Sequence, residues 1–192
     1  YHARPEQLDI IVTHADQDHA GGLPFIISHY PQARIHHGGW IQSTQLSTSS
    51  IRRGMTLNLG SDVRVRILNP ILFGSENKDA VVIRLEYGNT AVLFTGDIDS
   101  STEKRLINEF DTFLPADILK AAHHGSNTSS SLSFSRRVAA KWVIFSTGIN
   151  NRFGHPDPLV IDRFRRLGTI MHNTAQDQAA VFQLDGESVI HK

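Results

Sequence analysis

The chain has 192 residues, of which 40% are hydrophobic and 20% charged, with Lys+Arg and Asp+Glu level at 19 each. That composition excludes bulk disorder and fibrous repeats. A zero formal charge argues against coating nucleic acid by net positive charge, and no apolar run approaches the roughly 20 residues of a membrane span. Cysteine is absent, which removes disulfides, thiol nucleophiles and thiolate metal sites together. Histidine is the outlier at 11 copies, several of them beside Asp or Gly.

The chain opens on Tyr1 with no leader pattern of basic start, apolar core and small-residue cleavage site. It therefore reads as a piece of a longer protein. Residues 8–13 predict a short β-branched strand, and Gly21-Gly22 a turn before a helix over 23–30. Residues 34–37 form a further strand, and 41–55, rich in Ser, Thr and Gln, a surface loop. Alternation over 62–68 predicts a half-buried strand ended by Asn69-Pro70. Residues 80–87 and 90–95 flank Gly88-Asn89 as a hairpin. Ser100 with Glu103 makes a capping-box pattern for a helix over 102–110. Beyond it come a strand at 117–121, a helix at 132–139 and a strand at 141–146. Asp157-Pro158 starts a helix that Gly168 closes, and strands at 180–184 and 189–191 finish the chain. With no repeat and no linker, residues 1–192 read as one α+β domain.

The strongest chemical signal is His14-x-Asp16-x-Asp18-His19, four donors within six positions after an apolar strand. A divalent cation needs several lone-pair donors converging at about 2.0–2.4 Å. The alternative is a polar turn whose Asp residues cap a helix. Three more polar clusters also follow strands: Gly96-Asp97, His123-His124-Gly125-Ser126, and the stretch from Asn150 to Pro156 that holds Arg152 and His155. Strand ends on one sheet edge cluster in space, so these groups can meet.

The run Thr13-His14-Ala15-Asp16-Gln17-Asp18-His19-Ala20-Gly21-Gly22 resembles the first metal motif of the metallo-β-lactamase superfamily, and Phe94-Thr95-Gly96-Asp97 its bridging-aspartate motif. The further runs from Leu119 to Ser130 and Phe153-Gly154-His155-Pro156 are similar to the C-terminal hydrolase domain of ComEC-type DNA-uptake proteins of bacterial competence. The resemblance covers nearly the whole chain. It implies a four-layer αββα sandwich, here truncated at its N-terminus because the family's opening strands are missing. It implies two divalent ions. His14 and Asp16 match ligands of the first, Asp18, His19 and His124 ligands of the second, and Asp97 the bridge. Two positions depart from the superfamily: Asp16 stands where most members have His, and the usual third His of the first metal is absent, leaving Asp79 or Asn77 as substitutes. Oxygen for nitrogen favours Mn²⁺ or Mg²⁺, while Zn²⁺ remains compatible.

The implied chemistry is in-line attack on phosphorus by water activated between the metals. Asp97, His123 and His155 are the catalytic candidates. His123 would hold phosphate or protonate the leaving oxygen; His155 would share that role or replace His124 as ligand. Ser126, Asn127 and Arg152 are candidate phosphate contacts, the first two alternatively helix caps. The resemblance implies single-stranded DNA as substrate, with the channel part of the same polypeptide and other competence proteins as partners. It also implies a bacterial cytoplasmic-membrane location with this domain on the extracytoplasmic face. The alternatives are a small-molecule phosphodiesterase and a non-catalytic assembly module. Among weaker features, His36-His37 reads as the end of an edge strand and Trp40 as a base-stacking candidate or core plug. The arginines at 52, 53, 64, 66, 136, 137, 163, 165 and 166 read as phosphate-tracking candidates or solvated faces. Asp9, Glu103 and Glu109 read as solubility and capping residues.

Overall fold

The computed structural model describes residues 8–41, 46–70 and 76–192. His2, residues 42–45 of the expected 41–55 loop, and the opening Tyr1 lie outside them. Twelve strands are present among the described residues. Three form a parallel sheet: β1 (Asp9–Val12), β2 (Arg34–His37) and β3 (Thr48–Ser50), in that order. A parallel pair needs a crossover, and α1 (Gln17–Ala20) and α2 (Leu23–His29) supply it between β1 and β2.

A seven-stranded sheet follows. Its antiparallel part is β4 (Thr56–Leu59), β5 (Val63–Asn69), β6 (Val82–Tyr87) and β7 (Thr90–Phe94). From β7 it continues parallel through β8 (Ile118–Lys120), β9 (Trp142–Phe145) and β10 (Ile170–Asn173). The crossovers carry α3 (Ser100–Phe110), α4 (Leu132–Val138) and α5 (Pro158–Arg166). After a short α6 (Thr174–Asp177), β11 (Phe182–Leu184) and β12 (Val189–His191) pair separately.

Two cores explain the layering. Leu106 of α3, Phe134 and Val138 of α4, and Val160 and Phe164 of α5 bury against Leu93, Leu119, Val143 and Phe145 of the large sheet. On the other face, Val65 and Ile67 of β5 and Val81 meet Ile11 of β1 and Ile51, the residue just past β3. Burying both faces of its centre accounts for the near-continuous apolar runs of β7 to β9. The sheets also join at their ends, where the Val81 amide donates to the Thr13 carbonyl at 2.8 Å.

Four expectations change. Part of the 41–55 loop is β3, held because Ile51 is buried beside it. Strands β4 and β10 are additional to the predicted set. His36-His37 lies on the central strand of the small sheet, with one nitrogen of each imidazole bonded within the chain: His36 Nε2 meets Asp9 Oδ1 at 2.8 Å, and His37 Nδ1 accepts from the Gly39 and Ile41 amides. Asp99, not Ser100, caps α3 by accepting from the Thr102 amide, which leaves Glu103 for another task.

Candidate metal centre

The ends of β1, β7, β8 and β9 open onto one cleft of about 680 Å³. Each strand delivers its polar group in the residues just after it. His14 follows β1 directly and is fully buried, while Asp18 and His19 ride on α1. Asp97 follows β7 and is 3% exposed. Gly96 makes that turn at φ 54°; a Cβ there would meet the Ala80 Cβ at 3.0 Å and the Thr13 Cβ at 3.3 Å, so only glycine lets the β7 end close onto β1. After β8, His123 and His124 adopt left-handed backbone at φ 49° and 54°, an uncommon pair that turns the chain so that His124 faces Asp97. Gly125 follows at φ 86°, where a Cβ would strike Pro156 and Phe145.

The donors converge. His19 Nε2 lies 3.3 Å from Asp97 Oδ1 and 3.3 Å from His124 Nε2. His124 Nε2 is 3.3 Å from Asp97 Oδ2 and 3.1 Å from Asp18 Oδ2. His14 Nε2 is 3.5 Å from Asp16 Oδ2 and is buried without a hydrogen-bond partner. Two overlapping sets result, His14–His19–Asp97 and Asp18–His19–His124, each with ligand atoms within 4.8 Å of one another.

This donor set fits divalent cations. His124 Nδ1 sits 2.6 Å from the Ser146 carbonyl, which can only accept, so Nδ1 carries the proton. With Nδ1 so committed, Nε2 is the nitrogen that faces the two carboxylates. Lone pairs at that distance repel unless a proton or a cation lies among them. Tetrahedral ligands at about 2.0–2.1 Å from a metal stand roughly 3.3 Å apart, which is the spacing seen. Thr13 Oγ1 lies 3.0 Å from His14 Nδ1 and 3.1 Å from His19 Nδ1. With two lone pairs it can accept from both rings and leave both Nε2 atoms free as ligands.

Electrostatics at the cluster agree. Burial works to raise the Asp97 carboxyl, but hydrogen bonds from His124 and His19 and the charge of Lys120 outweigh it and hold the group well below the usual carboxylate range. The hydrogen bond to Asp97 raises His124, whereas burial lowers His14. Lys120, at the end of β8, donates to the Gly96 carbonyl at 3.3 Å and approaches Asp97 Oδ1 at 3.5 Å; burial lowers its ammonium. Neither Lys120 nor Thr13 stands out in the sequence as a site residue. The signal for the first was a lone Lys inside the apolar run Ile118-Leu119-Lys120-Ala121-Ala122.

The other expected site residues divide. Asp16, Asp97, His123, His124, Arg152 and His155 line the cleft. His155 stands apart from both ligand sets, so the cluster favours His124 over it. Its ring meets His123 edge-on at 5.9 Å, and burial lowers its pKa. Asp79 and Asn77 lie in a 3-10 turn before β6, and Asp79 joins neither set. Ser126 and Asn127 are not among the residues that line the cleft. Ser126 is buried and bonds Thr128, and Asn127 accepts from Arg163 Nη2, because the left-handed turn carries the chain away toward α5. Trp40 packs edge-on against His37 at 5.9 Å, outside the cleft. Most of the other arginines are committed to Glu or Asp partners: Arg53 to Glu109, Arg64 and Arg66 to Glu86, Arg137 to Asp111, Arg165 and Arg166 to Asp162.

A family model for the metallo-beta-lactamase superfamily matches residues 4–146. The chain belongs to that superfamily. It is 30% identical over 177 residues to ComE operon protein 3 of Bacillus subtilis, covering 84% of this chain and 23% of that protein. It is 30% identical over 182 residues to competence protein ComA of Neisseria gonorrhoeae, covering 91% of this chain and 25% of that one. The chain thus spans about a quarter of the length of these relatives, and the ComEC-type resemblance stands on them. A putative metal-dependent hydrolase from Parabacteroides distasonis shares the fold at a TM-score of 0.58 and 13% identity, over 87% of this chain and 76% of that one. The metallo-β-lactamase fold implies bound divalent metal. No helix among the described residues is long and apolar enough to cross a membrane.

Proposed function

We propose that this chain is a metal-dependent phosphodiesterase that cuts nucleic acid, with one strand of DNA as its substrate. The observation that carries the reading is the convergence of the side-chain ligand atoms of His19, His124, Asp18 and Asp97, with the partnerless His14 Nε2 beside them. His14, Asp16, Asp18, His19, Asp97 and His124 would hold two ions, Mn²⁺ or Zn²⁺, with Mg²⁺ also compatible. Bound there, such ions supply Lewis acidity toward water and a phosphoryl oxygen.

The chain's own groups divide the remaining work. Asp97 would help hold the ions through its carboxylate, which Lys120 and the Gly96 turn keep in place. His123 lies beside the ligands without belonging to either set, where it can hold a phosphate oxygen or give a proton to the leaving oxygen. Arg152 is the cation of the outer cleft and pairs with phosphate. Three carboxylates, Asp16, Asp18 and Asp97, line the cleft. Without divalent cations they repel a polyanion, so substrate binding as well as chemistry depends on metal. The competence-named relatives support DNA as that polyanion.

The test is hydrolysis of a single-stranded oligonucleotide by the Mn²⁺-loaded chain, beside a small choline-type phosphodiester. Metal-dependent, salt-sensitive cleavage of the oligonucleotide is expected. Turnover of the small ester alone would replace the nuclease reading, and turnover of neither would leave a non-catalytic module.

A further inference from the structure

Phe153 has no task in the chemistry above, yet it stands at the lip of the cleft with 68% of its surface in solvent. Among the described residues that line the cleft it is the sole aromatic other than histidine. Its ring is nearly parallel to that of His155, 16° between planes at 6.0 Å. The Arg152 guanidinium lies 5.0 Å from its centroid. From His155 the row steps inward to His123 at 5.9 Å. Flat groups therefore lead from solvent to the ligand cluster.

The exposure is built into the loop. The Asn151 side chain accepts from the His155 amide at 2.9 Å and donates to the His155 carbonyl at 2.8 Å. That amide pair ties the base of the loop into a closed ring and presents Phe153 at its tip. A ring held outward beside a guanidinium, next to a phosphate-binding centre, suits a ligand with a flat apolar face and an adjoining negative charge. A nucleotide has both.

Building on the nuclease reading, we propose that Phe153 is a base-stacking subsite. The nucleobase beside the scissile phosphate lies on the Phe153 ring. It displaces the Arg152 guanidinium from that face, and Arg152 turns to the neighbouring phosphate. Stacking of this kind tolerates every base, since each has a π-face. It also selects unpaired strands, because a duplex keeps its bases stacked on one another. Phe153 is thus a specificity-determining residue for single-stranded over double-stranded substrate, and for nucleic acid over small phosphodiesters.

The experiment uses the Mn²⁺-loaded chain and two single-stranded oligonucleotides. One carries a base beside a single cleavable linkage, the other an abasic sugar there. Phe153→Ala should raise KM on the first roughly tenfold to hundredfold, with kcat and bound Mn²⁺ unchanged, and Phe153→Trp should restore it. The wild type should lose the same factor on the abasic strand, and Phe153→Ala should lose nothing further. Anisotropy of a labelled, uncleavable phosphorothioate strand should show the same pattern in binding. Wild-type affinity in Phe153→Ala, or a full additional loss on the abasic strand, would overturn the subsite while leaving the nuclease reading intact. Failure of the wild type to cleave either strand would overturn both.

Discussion

Two carboxylates are buried in this molecule to almost the same degree, and their surroundings differ in kind. Glu103, on α3, is fully buried and accepts from the backbone amides of Ser130 and Ser131. Asp97, 3% exposed, faces His19, His124 and Lys120. Backbone N–H groups are permanent donors, so the folded chain alone completes the Glu103 site. Imidazole Nε2 atoms are donors only when protonated, and they are metal ligands when they are not. The Asp97 cluster is therefore one that protons or divalent cations from solution can complete. The same burial cost is met in one place from within, and in the other it is open to a cation from outside.

Removing Asp97 should produce the largest effect. Asp97→Ala is expected to lower bound metal and reduce hydrolysis to background; full activity would refute its place in the centre. His123→Ala should keep the metals, measured by elemental analysis, and cut turnover by about 10²–10⁴. Loss of metal instead would move His123 among the ligands. Thr13→Val should weaken metal affinity by about 10–100-fold, read by calorimetric titration, with Thr13→Ser close to wild type. An unchanged affinity would show that the shared hydroxyl does not orient the two rings.

The mirror experiment is Glu103→Gln. It sets an NH₂ against a backbone donor and should cost about 1–3 kcal/mol in denaturant unfolding, with metal content untouched. Burial raises the Glu103 carboxyl above its ordinary value, against the opposing hydrogen bonds. The native state then holds that proton to higher pH than the unfolded chain does. Its contribution to stability accordingly falls as pH climbs from the unfolded value through the raised native one. Glu103→Gln should flatten that segment of the pH–stability profile; a profile identical to wild type would remove Glu103 from the account.

Much of the candidate centre was legible because its motifs are compact and follow strands. The donors from His14 to His19 lie within one turn of chain, and Asp97 and His124 each follow a short apolar run. What the sequence hid was direction. Nothing local shows that two left-handed histidines swing Ser126 and Asn127 away from the cleft, or that Arg64 and Arg66 meet Glu86 across strands. Glu103 resembled a capping residue because the partners that reveal its role, Ser130 and Ser131, lie 27 and 28 positions away. Strands β3, β4 and β10 escaped because they are short and polar or carry mixed patterns, and pairing to already formed neighbours defines them. Thr13 looked like one more β-branched strand residue. Only the structure shows its hydroxyl between two imidazoles.

The central claim is that the Asp97 cluster is finished by divalent cations. Equilibrium dialysis against Mn²⁺, with ion content counted per chain for wild type and Asp97→Ala, tests it most directly. Two ions are expected in the wild type and a clear loss in the variant. Less than one ion in the wild type, or equal content in both, would contradict it.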